Sequence, residues 1–426
     1  MTKVPQLATP LTKPLYLLEQ KILAQQVKIE CWLRQQWQIV DAPFYSSVDI
    51  RNSGFKVAPV DTNLFPAGFN NLNPDFLPLC IQAVQATLSK QFPNVESILL
   101  IPENHTRNTF YLENIATLHD ILASAGFAIR LGSVASDLKL PSTLQTANDR
   151  TIILHEVTKK DRMLQSENFI PDLILLNNDL SGGYPAVLDD LEQTILPDLR
   201  LGWDNRLKSI HFENYRTVVE ELSKLIDIDP WLINPLFRNC GEVDFMKGEG
   251  LDCLEYNAEL LFRQIKKKYA EYGIAEEPFI IVKADAGSYG MGIMSVKSPA
   301  ELQNLNRKQR SHMAKTKGKQ TVSKVILQEG IYTFEKWDNN VAEPVVYMIG
   351  ENVVGGFYRV NTKRSDTENL NSPGMHFEPL AFADTCQAPG QSTCEASQRR
   401  FYIYGVIARL AALASARELQ QIKEPA

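Results

Sequence analysis

The run Phe279-Ile280-Ile281-Val282-Lys283-Ala284-Asp285-Ala286-Gly287-Ser288-Tyr289-Gly290-Met291-Gly292-Ile293-Met294 carries the densest chemical signal in the chain. Its apolar start predicts a buried strand, and Lys283 stands at that strand's end. Gly287, Gly290 and Gly292 make a flexible loop, and Ile293-Met294 predicts a return strand. Glycines let backbone N–H groups approach a phosphate closely, and a lysine adds a point charge. The spacing GxxGxG is neither the GxxxxGK[ST] phosphate loop nor the dinucleotide fingerprint, which needs a helix where this run predicts a strand. Alone, the run fits a backbone anion cradle and, equally, a glycine-rich hairpin with a solvated lysine.

Two further stretches offer polar groups at strand ends. Val325-Ile326-Leu327 predicts a strand that delivers Gln328, Glu329, Gly330 and Ile331. By itself this is a strand edge with a solvated tip. Val345–Ile349 and Val353–Val360 predict paired strands joined by a tight turn at Gly350-Glu351-Asn352, and they carry Glu343 and Arg359. The polar run that follows, Asn361, Lys363, Arg364, Asp366, Glu368, Asn369 and Asn371, has the composition of a solvated loop. It also mixes cations suited to phosphate with oxygen donors suited to Mg²⁺.

In the first half, Asp49, Arg51, Asn52, Lys56, Asp61, Asn63, Asn70 and Asn71 fall in a stretch dense in Asn, Gly, Pro and Phe, expected as loop over Asp49–Pro74. An amino-acid substrate needs a cation for its carboxylate and an anion for its ammonium group. The alternative is that Asn, Asp and Gly here simply make turns. Glu103–Asn108 and Trp203–His211 are two more polar clusters, the first directly after a predicted strand. Loops after strands are where α/β sheets place ligand groups.

The elements that must position these groups alternate. Leu18, Ile22, Val27, Ile29, Trp32, Leu33 and Trp37 predict one long helix over Leu15–Val40. Helices are predicted over Leu77–Lys90, Tyr111–Ala125, Thr217–Ile226 and Leu254–Tyr272, with an alanine-rich helix over Arg399–Ile422. Short buried strands are predicted at Ser97–Ile101, Ala128–Leu131, Thr151–His155 and Leu173–Leu176. Asn304–Thr321 is basic and shows no strand pattern. This alternation predicts an α/β fold.

The 426 residues predict two or three domains, at roughly 150 residues each. With 44 Lys plus Arg against 50 Asp plus Glu, the charge is -6, and no excess of cations points to nucleic acid. No apolar run approaches the roughly 20 residues of a membrane span, and Met1–Pro14 lacks an apolar signal core. Cytoplasm is the expected location. Six cysteines without a CxxC pair read as reduced thiols. Six scattered histidines give no zinc motif, and HExxH and GxSxG are absent.

The strand-end lysine, glycine loop and later arginine together resemble the ATP-grasp fold of glutathione synthetase-like ligases. That resemblance implies phosphate contacts from Lys283 and from a loop over Gly287, Ser288, Tyr289, Gly290 and Gly292. It implies a hinge at Gln328, Glu329 and Ile331 for adenine and ribose, and a γ-phosphate contact from Arg359. Glu343, Glu368, Asn369 and Asn371 are the implied Mg²⁺ ligands, although no Glu-x-Asn strand follows Asn371. A closer resemblance spans nearly the whole chain. Asp49–Lys56, Pro59–Leu72, Lys283–Gly287 and Asn369–Phe377 are similar to the glutamate–cysteine ligases of the proteobacterial, iron-oxidiser type. It implies an ATP- and Mg²⁺-dependent union of the glutamate γ-carboxylate with the cysteine amine, through an acyl phosphate. Arg51, Asn52, Lys56, Asp61, Asn63 and Asn71 become the implied substrate-binding residues, within an N-terminal α/β region (1–235) that precedes an ATP-grasp-like region (236–426). The alternatives are an ATP-grasp ligase with another amine acceptor, or a nucleotide-binding regulator without turnover.

Overall fold

The computed structural model describes residues 13–135, 138–181, 183–202, 205–287, 292–314, 322–380 and 396–423, without the side chains of 13 and 396–400. Two helices, α1 (Lys13–Ala24) and α2 (Gln26–Ile39), lead into a hairpin of β1 (Tyr45–Asn52) and β2 (Val57–Asn63). Next come α3 (Leu77–Gln91), β3 (Ser97–Pro102), α4 (Thr109–Ser124), β4 (Ala128–Ser133), β5 (Ser142–Gln145) and β6 (Thr151–Glu156). A small hairpin, β7 (Thr158–Lys160) and β8 (Met163–Gln165), precedes β9 (Leu173–Asn177), β10 (Thr194–Leu196) and α5 (Lys208–Ile226). The chain then forms β11 (Phe237–Glu242), α6 (Leu251–Tyr272), β12 (Ile280–Ala284), β13 (Ile293–Val296), α7 (Arg307–Met313) and β14 (Lys324–Glu329). Last are β15 (Lys336–Trp337), β16 (Asn340–Ile349), β17 (Asn352–Asn361), β18 (Met375–Pro379) and α8 (Ala396–Lys423).

Three sheets organise these elements, and the fold is α/β as expected. The order β10-β9-β3-β4-β6-β5 is parallel except for β5, with the apolar strands Leu173–Asn177 and Ser97–Pro102 at its centre. The order β11-β14-β12-β13 is antiparallel and packs on α6. The third sheet, β18-β17-β16-β1-β2, pairs strands from both ends of the chain, with β15 added to β16. This sheet crosses the boundary expected near residue 235.

Two local expectations are corrected. The single helix over Leu15–Val40 is broken at Gln25 (φ -102°, ψ 11°). Leu15, Leu18, Ile22, Ile29, Leu33 and Trp37 keep helical spacing across the break and enter the core, while Val27 faces solvent. The expected loop over Asp49–Pro74 begins as the β1–β2 hairpin. In β1, Val48 and Ile50 point into the core, and the intervening polar residues occupy the opposite face. The turn uses Gly54 at φ 84°, a left-handed conformation open to glycine. Within the basic segment near 304–321, residues Arg307–Met313 form α7, and 315–321 lie outside the described residues.

On its core face the third sheet is covered by α8. Residues Ile403, Tyr404, Val406, Ile407, Leu410 and Leu413 are buried, and so are the alanines between them. A helix apolar on all sides belongs in an interior, and its alanines permit close approach to β1, β16 and β17. Between the second and third sheets runs a buried ion pair, Lys56 Nζ to Glu329 Oε2 at 2.6 Å. Trp231 Nε1 donates to Glu329 Oε1 at 3.1 Å, and the Leu236 N–H donates to Oε2 at 2.9 Å. Lys56 also lies 4.3 Å from the Trp231 ring centre. Burial pushes the Lys56 ammonium down to about 8 against the opposing pull of Glu329. Lys56→Met is expected to lower stability by roughly 3–5 kcal/mol, because Glu329 is left buried without its cation. Adding Glu329→Gln, which removes the charge and keeps one acceptor oxygen for Trp231 or Leu236, should restore part of the loss. Urea denaturation of the single and double variants checks both statements.

Candidate active site

Strand alternation builds the floor of a cavity of about 1050 Å³. The solvent-facing side of the third sheet presents Ser47, Asp49 and Arg51 from β1, and Asp61 and Asn63 from β2. It adds Glu343, Val345 and Tyr347 from β16, with Phe357 and Arg359 from β17. Glu343 sits opposite Arg359 in the register, and Asp49 opposite Asp61. A second wall comes from Ile281 and Lys283 on β12, Ile293 on β13, and Gln328, Glu329 and Ile331 at the end of β14. A third wall consists of Phe65, Ala67, Gly68, Asn70 and Asn71, together with Glu103, His105, Asn108, Phe110, Tyr111 and Asn114.

Charge on the floor is closely paired. Arg359 Nη1 contacts Asp49 Oδ2 and Glu343 Oε1, both at 2.7 Å. Arg51 Nε donates to Glu343 Oε2 at 2.9 Å, and its Nη1 reaches the Ile331 carbonyl at 3.2 Å. Burial disfavours the Glu343 charge, but Arg51 and Arg359 outweigh it and hold the carboxyl below its usual range. Asp49 goes the other way, because burial exceeds the pull of Arg359. Burial works against the Arg359 charge, and its two carboxylates more than offset it. The Arg359 Nε and the Gln328 Nε2 are buried without a hydrogen-bond partner among the described residues.

Lys283 Nζ donates to the Val60 carbonyl at 2.8 Å and lies 5.1 Å from the Phe212 ring centre. Burial pushes it down to about 8, opposed chiefly by Asp61. Burial would raise the Asp61 carboxyl, but Lys208, Lys283 and Arg206 overcome that and lower it. Asp61 is held in place from behind. Arg206 Nη1 donates to the Thr62 carbonyl at 2.6 Å, and His211 Nε2 meets Thr62 Oγ1 at 2.9 Å. Glu418 of α8 receives Arg206 Nε at 3.0 Å. Burial depresses the His211 imidazolium, and Arg206 adds to the effect.

The structure brings Lys283, Arg359, Gln328, Glu329, Ile331, Arg51, Asp61, Asn63, Asn71, Glu343, Asn369 and Asn371 to one cavity. Asn369 and Asn371 reach it because Leu370 between them is buried and its carbonyl is held by Asn361 Nδ2 at 3.0 Å. Five sequence candidates lie elsewhere. Asn52 is buried against Glu335 and Tyr404, and Lys56 is buried against Glu329. Glu368 turns outward to Arg364 and the Ser365 N–H, each at 2.9 Å. Gly287 gives its carbonyl to Lys208 Nζ at 2.8 Å. Gly292 returns the chain into β13 at φ 63°, while Ser288, Tyr289 and Gly290 lie outside the described residues. Of the Trp203–His211 cluster, Trp203 and Asp204 are likewise outside, and Arg206 and His211 serve Thr62. Sequence reasoning missed Ser47 and Tyr347, although two-residue periodicity places them with Asp49 and Glu343. It had no local signal for Phe65, Tyr111 or Asn114.

A metal fits this site only in part by itself. Among the described residues no three His, Cys, Asp or Glu side chains gather as a metal cluster. The oxygen donors Asp61, Asn63, Asn369 and Asn371 suit Mg²⁺, which is usually held by one or two carboxylates and substrate phosphates. Among the described residues no helix is long and apolar enough to cross a membrane.

Comparison with known proteins gives the family. No match was found among curated proteins. A solved protein provisionally named gamma-glutamylcysteine synthetase, from Methylobacillus flagellatus KT, is 55% identical with a TM-score of 0.91, over 98% of this chain and 99% of that one. A D-alanyl-alanine synthetase A from Vibrio cholerae O1 biovar eltor str. N16961 gives 9% identity and a TM-score of 0.32, over 74% of this chain and 81% of that one, too low to assign a fold. The family model described as glutamate-cysteine ligase matches residues 19–419, so the chain belongs to the glutamate–cysteine ligase family and catalyses the first step of glutathione synthesis.

Proposed function

We propose that the cavity between the second and third sheets is where this ligation occurs, with the nucleotide lying across β12, β14 and the floor strands in an ATP-grasp-like manner. The observation that carries this placement is two buried cations, Lys283 and Arg359, brought from facing sheets to one cavity. The buried donors of Gln328 and Arg359 that find no acceptor among the described residues support a ligand rich in acceptors. In the proposed reaction a γ-carboxylate oxygen of glutamate attacks the γ-phosphorus of ATP, ADP leaves, and an acyl phosphate remains. The cysteine amine then attacks the acyl carbon, loses a proton, and phosphate departs.

Phosphoryl transfer asks mainly for positioning and charge neutralisation. Lys283 supplies a cation from a rigid strand, and Asp61 keeps it charged despite burial. Arg359 is fixed by Asp49 and Glu343, so its planar fork is already oriented. Mg²⁺, when bound, would supply positive charge against the phosphates. Its protein oxygens would come from Asp61 and Asn63 on β2 and from Asn369 and Asn371. Glu343 has both oxygens engaged by guanidinium groups and acts here as their anchor. Free thiols at Cys31, Cys80, Cys240 and Cys253 suit a reducing, cytoplasmic setting.

The direct test is ADP release with ATP, Mg²⁺, glutamate and single amino acids. Turnover with cysteine is expected, and turnover only with another amine would reassign the acceptor. Lys283 gives a pH prediction. Its ammonium titrates near 8, so the free enzyme carries the charge below that pH and loses it above. Nucleotide affinity should therefore fall as pH rises through 8, by up to about tenfold per pH unit for one linked proton. Isothermal titration should show this bend in the parent protein and none in Lys283→Met.

Arg359→Lys keeps a charge but loses the fork. Turnover should drop by roughly 10²–10³, the usual cost of one preorganised donor. Parent-like kcat in Arg359→Lys would remove Arg359 from the reacting phosphoryl group.

A further inference from the structure

The third wall of the cavity carries a carboxylate–imidazole pair outside the proposed phosphate contacts. Glu103 and His105 follow β3, at the carboxyl end of the parallel sheet where α/β folds place ligand groups. His105 Nε2 lies 2.5 Å from Glu103 Oε2, and both residues line the cavity. The loop that holds them is fixed. The Glu103 N–H donates to the Tyr111 hydroxyl at 2.8 Å and to the Asn177 carbonyl at 3.2 Å. Tyr111 in turn donates to the Asn177 carbonyl at 2.7 Å, and its ring meets the His105 ring edge-on at 5.5 Å.

A carboxylate beside an imidazole is the complement of an α-amino-acid head, the carboxylate facing the ammonium and an imidazole N–H donating to the carboxylate. The remaining cavity carboxylates have other duties. Asp49 and Glu343 hold Arg359, Glu329 holds Lys56, and Asp61 faces Lys208 and Lys283. The chemistry also decides between the two amino acids. The acceptor's amine must be neutral and free to attack the acyl carbon, so it cannot stay bound to a carboxylate as ammonium. The donor keeps its α-ammonium and α-carboxylate unchanged throughout.

We propose that Glu103 and His105 bind the α-ammonium and α-carboxylate of the donor glutamate and so determine its specificity. The proposal rests on the ligase reading above. Two donor analogues separate its parts: glutarate lacks the α-ammonium, and 4-aminobutyrate lacks the α-carboxylate while keeping the carboxylate to be activated. ADP release is measured with cysteine and ATP for parent, Glu103→Gln and His105→Ala. In Glu103→Gln the preference for glutamate over glutarate in kcat/KM should fall at least tenfold, with the KM of cysteine and ATP unchanged. In His105→Ala the preference for glutamate over 4-aminobutyrate should fall likewise. Unchanged preferences, an equal loss for glutamate and analogue, or a change confined to the cysteine KM would each overturn the proposal. Failure of the parent itself to turn over glutamate with cysteine would instead overturn the ligase reading on which it rests.

Discussion

Arg51, Glu343, Arg359 and Asp49 form a buried chain of alternating charge across β1, β16 and β17, and the cavity depends on it. Charges this far from water are tolerated only when each meets an opposite partner with good geometry. The partners come from strands far apart in sequence, with 292 residues between Arg51 and Glu343. Satisfying them fixes the register of the third sheet, because a one-residue slip would turn every charged side chain into the apolar core. The same register that satisfies the charges also lines Val48, Ile50, Val346, Tyr358 and Val360 against α8.

The cavity floor is thus one face of a sheet whose other face is a hydrophobic core, and one alternation serves both. Behind β2 the rule extends outward. Thr62 faces away from the cavity, and the Arg206–His211–Glu418 cluster grips it, so Asp61 on the cavity side inherits its position from α5 and α8. The small sheet that carries Lys283 is tied to the same hairpin through Lys56 and Glu329. Groups that contact the reacting atoms and groups that merely hold them are therefore interleaved along the same short strands.

That interleaving marks the limit of what could be read from the sequence. Apolar runs announced β9, β12, β14, β16 and β17, because strands buried on both faces or paired in hairpins need continuous or alternating apolar residues. Lys283 and Arg359 were legible for the same reason, as cations ending such runs. The β1–β2 hairpin was not, since its cavity face is filled with Asp, Arg and Asn, whose local preference is for turns. Asn52 and Lys56 have the composition of ligand groups, yet Glu335, Tyr404 and Glu329, far away in the chain, claim them. Polarity shows in a sequence, but the partner that satisfies it does not. The third wall was harder still, because Tyr111 and Asn114 lie on the face of α4 that turns towards β9, and only tertiary packing shows that orientation.

The position of α8 has a consequence for synthesis. The hairpin of β1 and β2 leaves the ribosome long before β16 and β17, and longer still before the helix that covers its apolar face. Until then the core around Val48, Ile50 and Val57 has α1 and α2 but lacks β16, β17 and α8, and the core between the parallel sheet, α3 and α4 lacks Val345, Tyr347, Ile349, Val354 and Phe357. Early chains should thus carry two incomplete cores, both waiting for β16 and β17. Non-local pairing of this kind folds slowly and exposes strand edges meanwhile. The cavity floor is therefore complete only once β16, β17 and the covering helix α8 have joined the first hairpin.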